Sequence, residues 1–160
     1  MAISLYMKID GVTGECPNAK YKDHIELDSF HWGASQPSSM GTGGGGSAGK
    51  VSFHDLSATA KLDKAYPTIM QQMANGKHFA TVEIKGAKMG EGQMEYLKVT
   101  LSDVLITSAD VAGAHGAEIV ANYSFQAAKL KWWYQAQDDK GKAAGGPVDF
   151  GWDIKGNKTM

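Results

Sequence analysis

The sequence predicts a mainly β fold with one short helix, and three observations carry that reading. Apolar residues recur at every second position through most of the chain. Helical spacing appears in a single segment, around Tyr66 to Met73. Ahead of that helix, a long glycine-rich run has no apolar period at all.

The elements follow in order. Ile3, Leu5, Met7 and Ile9 alternate and stop at Asp10-Gly11, which reads as a first strand and its turn. HIELDSFHWG, from His24, begins with Ile25 and Leu27 on one face and then switches to Phe30 and Trp32. A phase change of one residue is what a β-bulge near Asp28-Ser29 produces. In the new phase His31 turns away from the side that Phe30 and Trp32 bury, onto a polar open face. VSFHDLSATA, from Val51, reads as another strand, and FATVEIKG places Ala80, Val82 and Ile84 on one side. MEYLKVTLSDVLITS, from Met94, and AEIVANYSFQAAKLKWWYQ, from Ala117, are long and strand-like. PVDFGWDI alternates Val148, Phe150, Trp152 and Ile154.

Asp63 to Gly76 breaks the rule. Tyr66, Ile69, Met70 and Met73 fall on one helical face, Pro67 suits the first turn, and Gly76 suits a left-handed stop. The methionines read as core packing. Such a set of elements closes as a barrel or folds as a sandwich. One domain, 1–160, accounts for the chain, without an internal repeat.

Composition removes several function classes. A formal charge of -1 supplies no field that gathers nucleic acid or an anionic membrane. All 16 basic residues are lysine. Without arginine, the preferred fork for guanine edges and phosphates is missing. Cys16 is the only cysteine, so no intramolecular disulfide forms, and it reads as a free thiol in a loop. MAISLYMKIDG alternates and does not form a continuous apolar block, so it does not read as a signal peptide. No segment reaches the roughly 20 apolar residues that cross a bilayer.

MGTGGGGSAGKVS, from Met40, matches a dinucleotide turn, a nucleophile elbow and most of a P-loop. Each of those needs a strand before it and a helix after it. Here a loop precedes the run and strand-like VSFHDL follows it, and Val51 stands where a P-loop needs Ser or Thr. What remains is a loop from Ser35 to Gly49, of a length found in functional or disordered segments, whose glycines make it floppy when free and let backbone lie close against another surface: a mobile surface loop, or one that orders on a partner.

The other candidates read blandly. His24, His31, His54, His78 and His115 show no metal-ligand spacing. Glu26, Asp55, Glu83 and Glu95 read as solvated strand faces rather than a glycosidase pair. Trp132, Trp133, Tyr134 and Trp152 read as core or interface packing rather than a sugar platform. Asp138 to Gly141 is a turn without the ligand pattern of a calcium loop.

Several stretches together carry a family resemblance: SLYMKIDGVTGE, SFHWGASQPSSMGTGGGGSAGKVSFHDL, LDKAYP, NGKHFATVEI, EYLKVTLSDVLITS and GGPVDFGWDIKGNK. They span nearly the whole chain in order. With them the sequence resembles the hemolysin-coregulated protein family, the tube protein of the bacterial type VI secretion system. The resemblance implies a small β-barrel-like pair of packed antiparallel sheets, one short α-helix and a long extended glycine-rich loop. It implies homohexameric rings stacked into a hollow tube, with sheath, spike and secreted effector proteins as partners. It implies no enzyme activity, no cofactor, no metal, no nucleic acid and no membrane insertion. It also implies passage from the bacterial cytoplasm to the extracellular space or a target cell without a cleaved signal peptide.

By the same resemblance, the extended loop at ring and stacking interfaces comprises Pro37, Ser38, Ser39, Met40, Gly41, Thr42, Gly43, Gly44, Gly45, Gly46, Ser47, Ala48, Gly49 and Lys50. Lys88, Met89, Gly90 and Asn157 form the ring-face turn and tail. Ser29 and His31 are the candidates for the lumen and for effector binding. His31 stands where the family often has serine. His31 is therefore expected to alter which cargo binds. The turn from Gly86 to Gly92 lacks the arginine often found there, so stacking contacts are expected to differ.

Overall fold

The computed structural model describes residues 2–38, 49–90 and 93–160. Besides a single 3-10 turn at Ala19–Tyr21, ten strands and one α-helix are laid out in it: β1 (Ile3–Ile9), β2 (Ile25–His31), β3 (Ala34–Ser35), β4 (Ser52–Phe53), β5 (Leu56–Lys61), α1 (Ala65–Ala74), β6 (Phe79–Lys88), β7 (Met94–Ala112), β8 (Val120–Tyr134), β9 (Val148–Asp153) and β10 (Lys158–Thr159). The main sheet runs β10-β9-β8-β5-β2-β1-β6-β7, and β7 also pairs with β8. That extra pairing closes six strands on themselves. The choice the sequence left between barrel and sandwich is settled as a barrel. All its pairings are antiparallel.

Alternation explains the core. Met7, Ile9, Val82, Val104 and Ala121 point inward and are fully buried. α1 packs against β7, sinks Ile69 into the core and lays Tyr66 against Tyr123, ring centroids 6.1 Å apart. Met70 and Met73 pack on the same core, as the helical spacing requires. Gly76 ends the helix region with φ +68°, the left-handed geometry expected of it.

The bulge lies where the phase change put it, with the β2–β5 register slipping between Leu27 and Ser29. Two expectations change. VSFHDLSATA is not one strand. It breaks at His54-Asp55, where His54 N–H donates to Gly33 O (2.9 Å) and Asp55 accepts from Thr107 Oγ1 (2.7 Å). The first part leaves the barrel as β4 and pairs with β3 in a small separate ribbon. At the start of β6, Phe79 is buried and Ala80 is exposed, the reverse of strict alternation. Its neighbour strand is irregular there: Asp103 stands at φ +52°, between the pairs Phe79↔Val104 and Thr81↔Ser102.

A second, smaller core covers the outside of β1. The chain after β1 folds back over it, with Gly14 N–H to Asp23 O (2.8 Å) and Cys16 N–H to His24 O (3.0 Å). Gly14 is required here, because a Cβ would lie 2.4 Å from the His24 carbonyl oxygen. Tyr21 stacks on Tyr6 at 4.0 Å and donates to Glu95 Oε1 (2.9 Å). Cys16 is buried beside them, and that burial pushes its thiol pKa up. An unexposed, poorly ionised thiol is inert.

Candidate functional site

Three surfaces gather the candidate residues. The first is the open face of β2, β5 and β8. Because strand side chains alternate, the partners of the buried residues line up outward in rows. One row is His31, Ser57 and Ser124; the next is Ser29, Thr59 and Asn122. Ser57 Oγ lies 3.3 Å from Ser124 Oγ, and Thr59 Oγ1 donates to Asn122 Oδ1 at 2.7 Å. Beyond these rows Lys61 pairs with Glu118 at 3.2 Å, and this hydrogen bond holds the lysine pKa up. Ser29 and His31 are therefore neighbours on one exposed polar face of short side chains. The face offers hydroxyls and amides for hydrogen bonding.

The second surface is the base of the extended loop. Residues 39–48 lie outside the described residues, and with them Ser39, Met40, Gly41, Thr42, Gly43, Gly44, Gly45, Gly46, Ser47 and Ala48. The two ends of the loop are tied together: Gly49 N–H donates to Pro37 O (2.8 Å) and Gln36 Nε2 donates to Gly49 O (2.8 Å). A Cβ on Gly49 would lie 2.6 Å from Pro37 Cγ, so the crossing needs glycine. After Lys50 the chain enters β4. The helix that a P-loop requires at that point is a strand. Between the loop base and β9 opens a cleft of about 420 Å³, lined by Gly49, Lys50, Phe53, Phe150, Trp152 and Asn157 among others.

The third surface is the β6–β7 turn. Lys88 Nζ lies over the Tyr96 ring (5.3 Å), and Met89 N–H donates to Ala2 O (2.9 Å). Gly90 O accepts from Gln93 N–H at 3.2 Å. Asn157 is not brought to this turn. It sits in the tight β9–β10 turn at φ +52°, beside the loop base. The four residues grouped as turn and tail thus occupy two places.

The aromatic residues divide by strand face. Trp132 stacks on Trp32 at 5.6 Å, and Trp32 stacks on Phe53 at 5.7 Å. Trp133 faces the other way, under Lys98 Nζ at 5.2 Å. Packing, rather than a sugar platform, occupies Trp132 and Trp152. Among the described residues no three of His, Cys, Asp and Glu converge in a way that would hold a metal ion. His78 Nδ1 and Asp103 Oδ1 form an exposed pair at 3.0 Å, which holds the Asp103 carboxyl below its ordinary pKa. Asp138 folds its turn by accepting from Lys140 and Lys142 N–H, both at 2.9 Å.

One surface escaped the sequence reading. β9 pairs only with β8 and the two-residue β10, outside the barrel. Its Val148 and Phe150, with Tyr134 of β8, are 72%, 45% and 46% exposed. The alternation of PVDFGWDI was visible, but it marks an apolar face and not whether that face is covered.

Comparison with known proteins fixes the family. Residues 6–134 match the family model described as "Type VI secretion system effector, Hcp". The chain belongs to the Hcp family. Protein hcp1 of Pseudomonas aeruginosa is 38% identical over 159 residues, 98% of each chain. A solved structure described as a type six secretion system protein superposes with a TM-score of 0.93 at 29% identity, covering 99% of this chain and all of the other. Hcp1 from Salmonella typhimurium gives 0.83 at 30% identity, with full coverage of both chains. The family model and the first of these structures are named for type VI secretion, and none of these names is that of an enzyme. No helix among the described residues is long and apolar enough to cross a membrane.

Proposed function

We propose that this Hcp-family chain, as one unit spanning 1–160, is the repeating subunit of a hexameric ring, and that rings stack into a hollow tube. The tube leaves the cell with a spike, driven by a sheath. Effector proteins ride in its lumen, and the subunit performs no catalysis and reads no nucleic acid. One observation carries this reading: a single closed barrel presents an open polar face on one set of strands and an uncovered apolar flap on another. The polar face suits a water-filled lumen that holds cargo weakly. The flap suits burial between copies. On this reading Ser29 and His31 line the lumen. Pro37, Gly49 and Lys50 anchor the loop that reaches neighbouring subunits. Lys88, Met89 and Gly90 meet the next ring at a different place from Asn157, as a stack of identical rings requires two different faces. Near-neutral charge helps, since six subunits at -1 each repel weakly at physiological salt.

Light scattering after gel filtration, with negative-stain images of the peak, tests this. The expected species has six times the 17.1 kDa chain mass and a ring outline. A chain that stays at 17.1 kDa at high concentration overturns it.

A further inference from the structure

A ring of identical copies needs two different patches on each copy, because its contacts run head to tail. Two patches on this barrel have matching chemistry. The first is the flap. Tyr134, Val148 and Phe150 expose 46%, 72% and 45% of their surface. The turn at its tip carries Lys140 and Lys142 beside Asp138 and Asp139, all four exposed. Asp138 is folded onto the backbone N–H groups of Lys140 and Lys142, and neither lysine is in an ion pair among the described residues. The second is a groove of about 390 Å³ over β1 and β2. Ile3 and Leu62, 53% and 41% exposed, give it apolar walls. Glu26 and Asp28 lie in it, exposed and likewise in no ion pair among the described residues. Lys61, the groove's lysine, is already engaged by Glu118.

We propose that the flap of one copy seats in the β1–β2 groove of the next, with Val148 and Phe150 against Ile3 and Leu62, and Lys140 and Lys142 against Glu26 and Asp28. Placement supports the pairing. The flap hangs on the Tyr134 end of β8, whereas Lys61, which lines the groove with Leu62, pairs with Val120 at the other end of that strand. The two patches therefore lie at opposite ends of β8 and cannot meet within one subunit. Apolar surface meets apolar surface, and unpaired lysines meet unpaired carboxylates at the rim, where opposite charge fixes register and rejects wrong partners. This assignment rests on the ring reading and names the contact within it.

Two variants of the full chain test it: Glu26→Lys with Asp28→Lys in the groove, and Lys140→Glu with Lys142→Glu on the flap. All four side chains are exposed, so melting curves at low concentration should match the wild type. Each variant alone sets like charges together and should assemble on the order of 100-fold more weakly. It should run at 17.1 kDa where the wild type runs as a ring. Mixed one to one, they should recover the ring, because every junction of an alternating ring again pairs opposite charges. Val148→Asp provides an independent check and should abolish the ring alone and in either mixture. Rings from each variant alone, or from Val148→Asp, overturn the contact while leaving the ring reading standing. So does a mixture that stays monomeric. A wild type that never forms a ring overturns both.

Discussion

Val104 and Val148 are both strand valines, yet one is fully buried and the other is 72% exposed. Val104 belongs to β7, whose backbone pairs with β6 on one side and β8 on the other. Val148 belongs to β9, which continues the same sheet past the point where the barrel has closed. Closure removes sheet edges and finishes the core. A strand added after closure reaches the core only at Trp152, so Val148 and Phe150 on the same face are left for another surface. The barrel holds the subunit together, and the flap and loop base are available for assembly. Substitutions in the two regions should separate these roles.

The largest effect belongs to the barrel. Phe125 is buried in the core. Phe125→Ala should destabilise the chain by about 3–5 kcal/mol through lost burial and the cavity left behind. At this chain length the melting temperature should fall by roughly 6–20 °C. Phe150→Ser on the flap should lower monomer stability by only about 1 kcal/mol, since nearly half of the ring is already in water. It should nonetheless disperse the ring. Paired melting curves at low concentration and light scattering at high concentration read both. A flap variant that melts as early as the core variant would mean that the two regions are one cooperative core.

Shortening Gly41–Gly46 comes next. Trimming a long loop changes its closure entropy by less than about 1 kcal/mol, so the melting curve should barely move. Stacks in electron micrographs should shorten while single rings persist. Tubes of wild-type length would remove the loop from the stacking contact. A smaller effect is expected at His31, which is exposed beside Ser57. His31→Gln should stay within about 0.5 kcal/mol of wild-type stability. Effector recovered with the ring should fall, and equal recovery would remove His31 from the cargo surface.

The contrast also explains what the sequence made legible. Phase alone located most strands, the helix, its glycine stop and the bulge at Asp28-Ser29, because each is a local pattern. The break in VSFHDLSATA was also written there: Phe53 and Leu56 are three apart, an odd spacing that no single alternating strand keeps. Closure was not legible, because it needs the β1–β6 and β5–β8 pairings, which join residues as distant as Ile3 and Lys88 and leave no local mark. Nor was the flap. Val148, Phe150 and Trp152 alternate as a core strand does, and only the closed barrel determines that the first two lie outside it. The family resemblance named a turn at Lys88 and a tail at Asn157, and their relative positions were not legible: the fold puts one at the β6–β7 turn and the other by the loop base.

The finest test concerns the seam between α1 and the barrel. Burial, the largest influence, raises the Asp63 carboxyl pKa, while the hydrogen bond from Ala65 N–H (3.0 Å) pulls it down. A raised pKa means that the folded chain holds this proton more tightly than the unfolded chain does. The group's contribution is therefore full below the ordinary carboxylate range, near 3.9, and is lost as pH rises through the folded value. Asp63→Asn keeps an acceptor for Ala65 N–H but cannot ionise. Its melting temperature should gain on the wild type as pH rises from about 3 to 6, by no more than about 2 °C because water still reaches the carboxyl. The ring should be unaffected, since this seam belongs to the barrel. If the wild type instead gains on the variant over that range, the Ala65 hydrogen bond outweighs burial, and the seam is held by a charged cap on the helix start rather than by a protonated carboxyl.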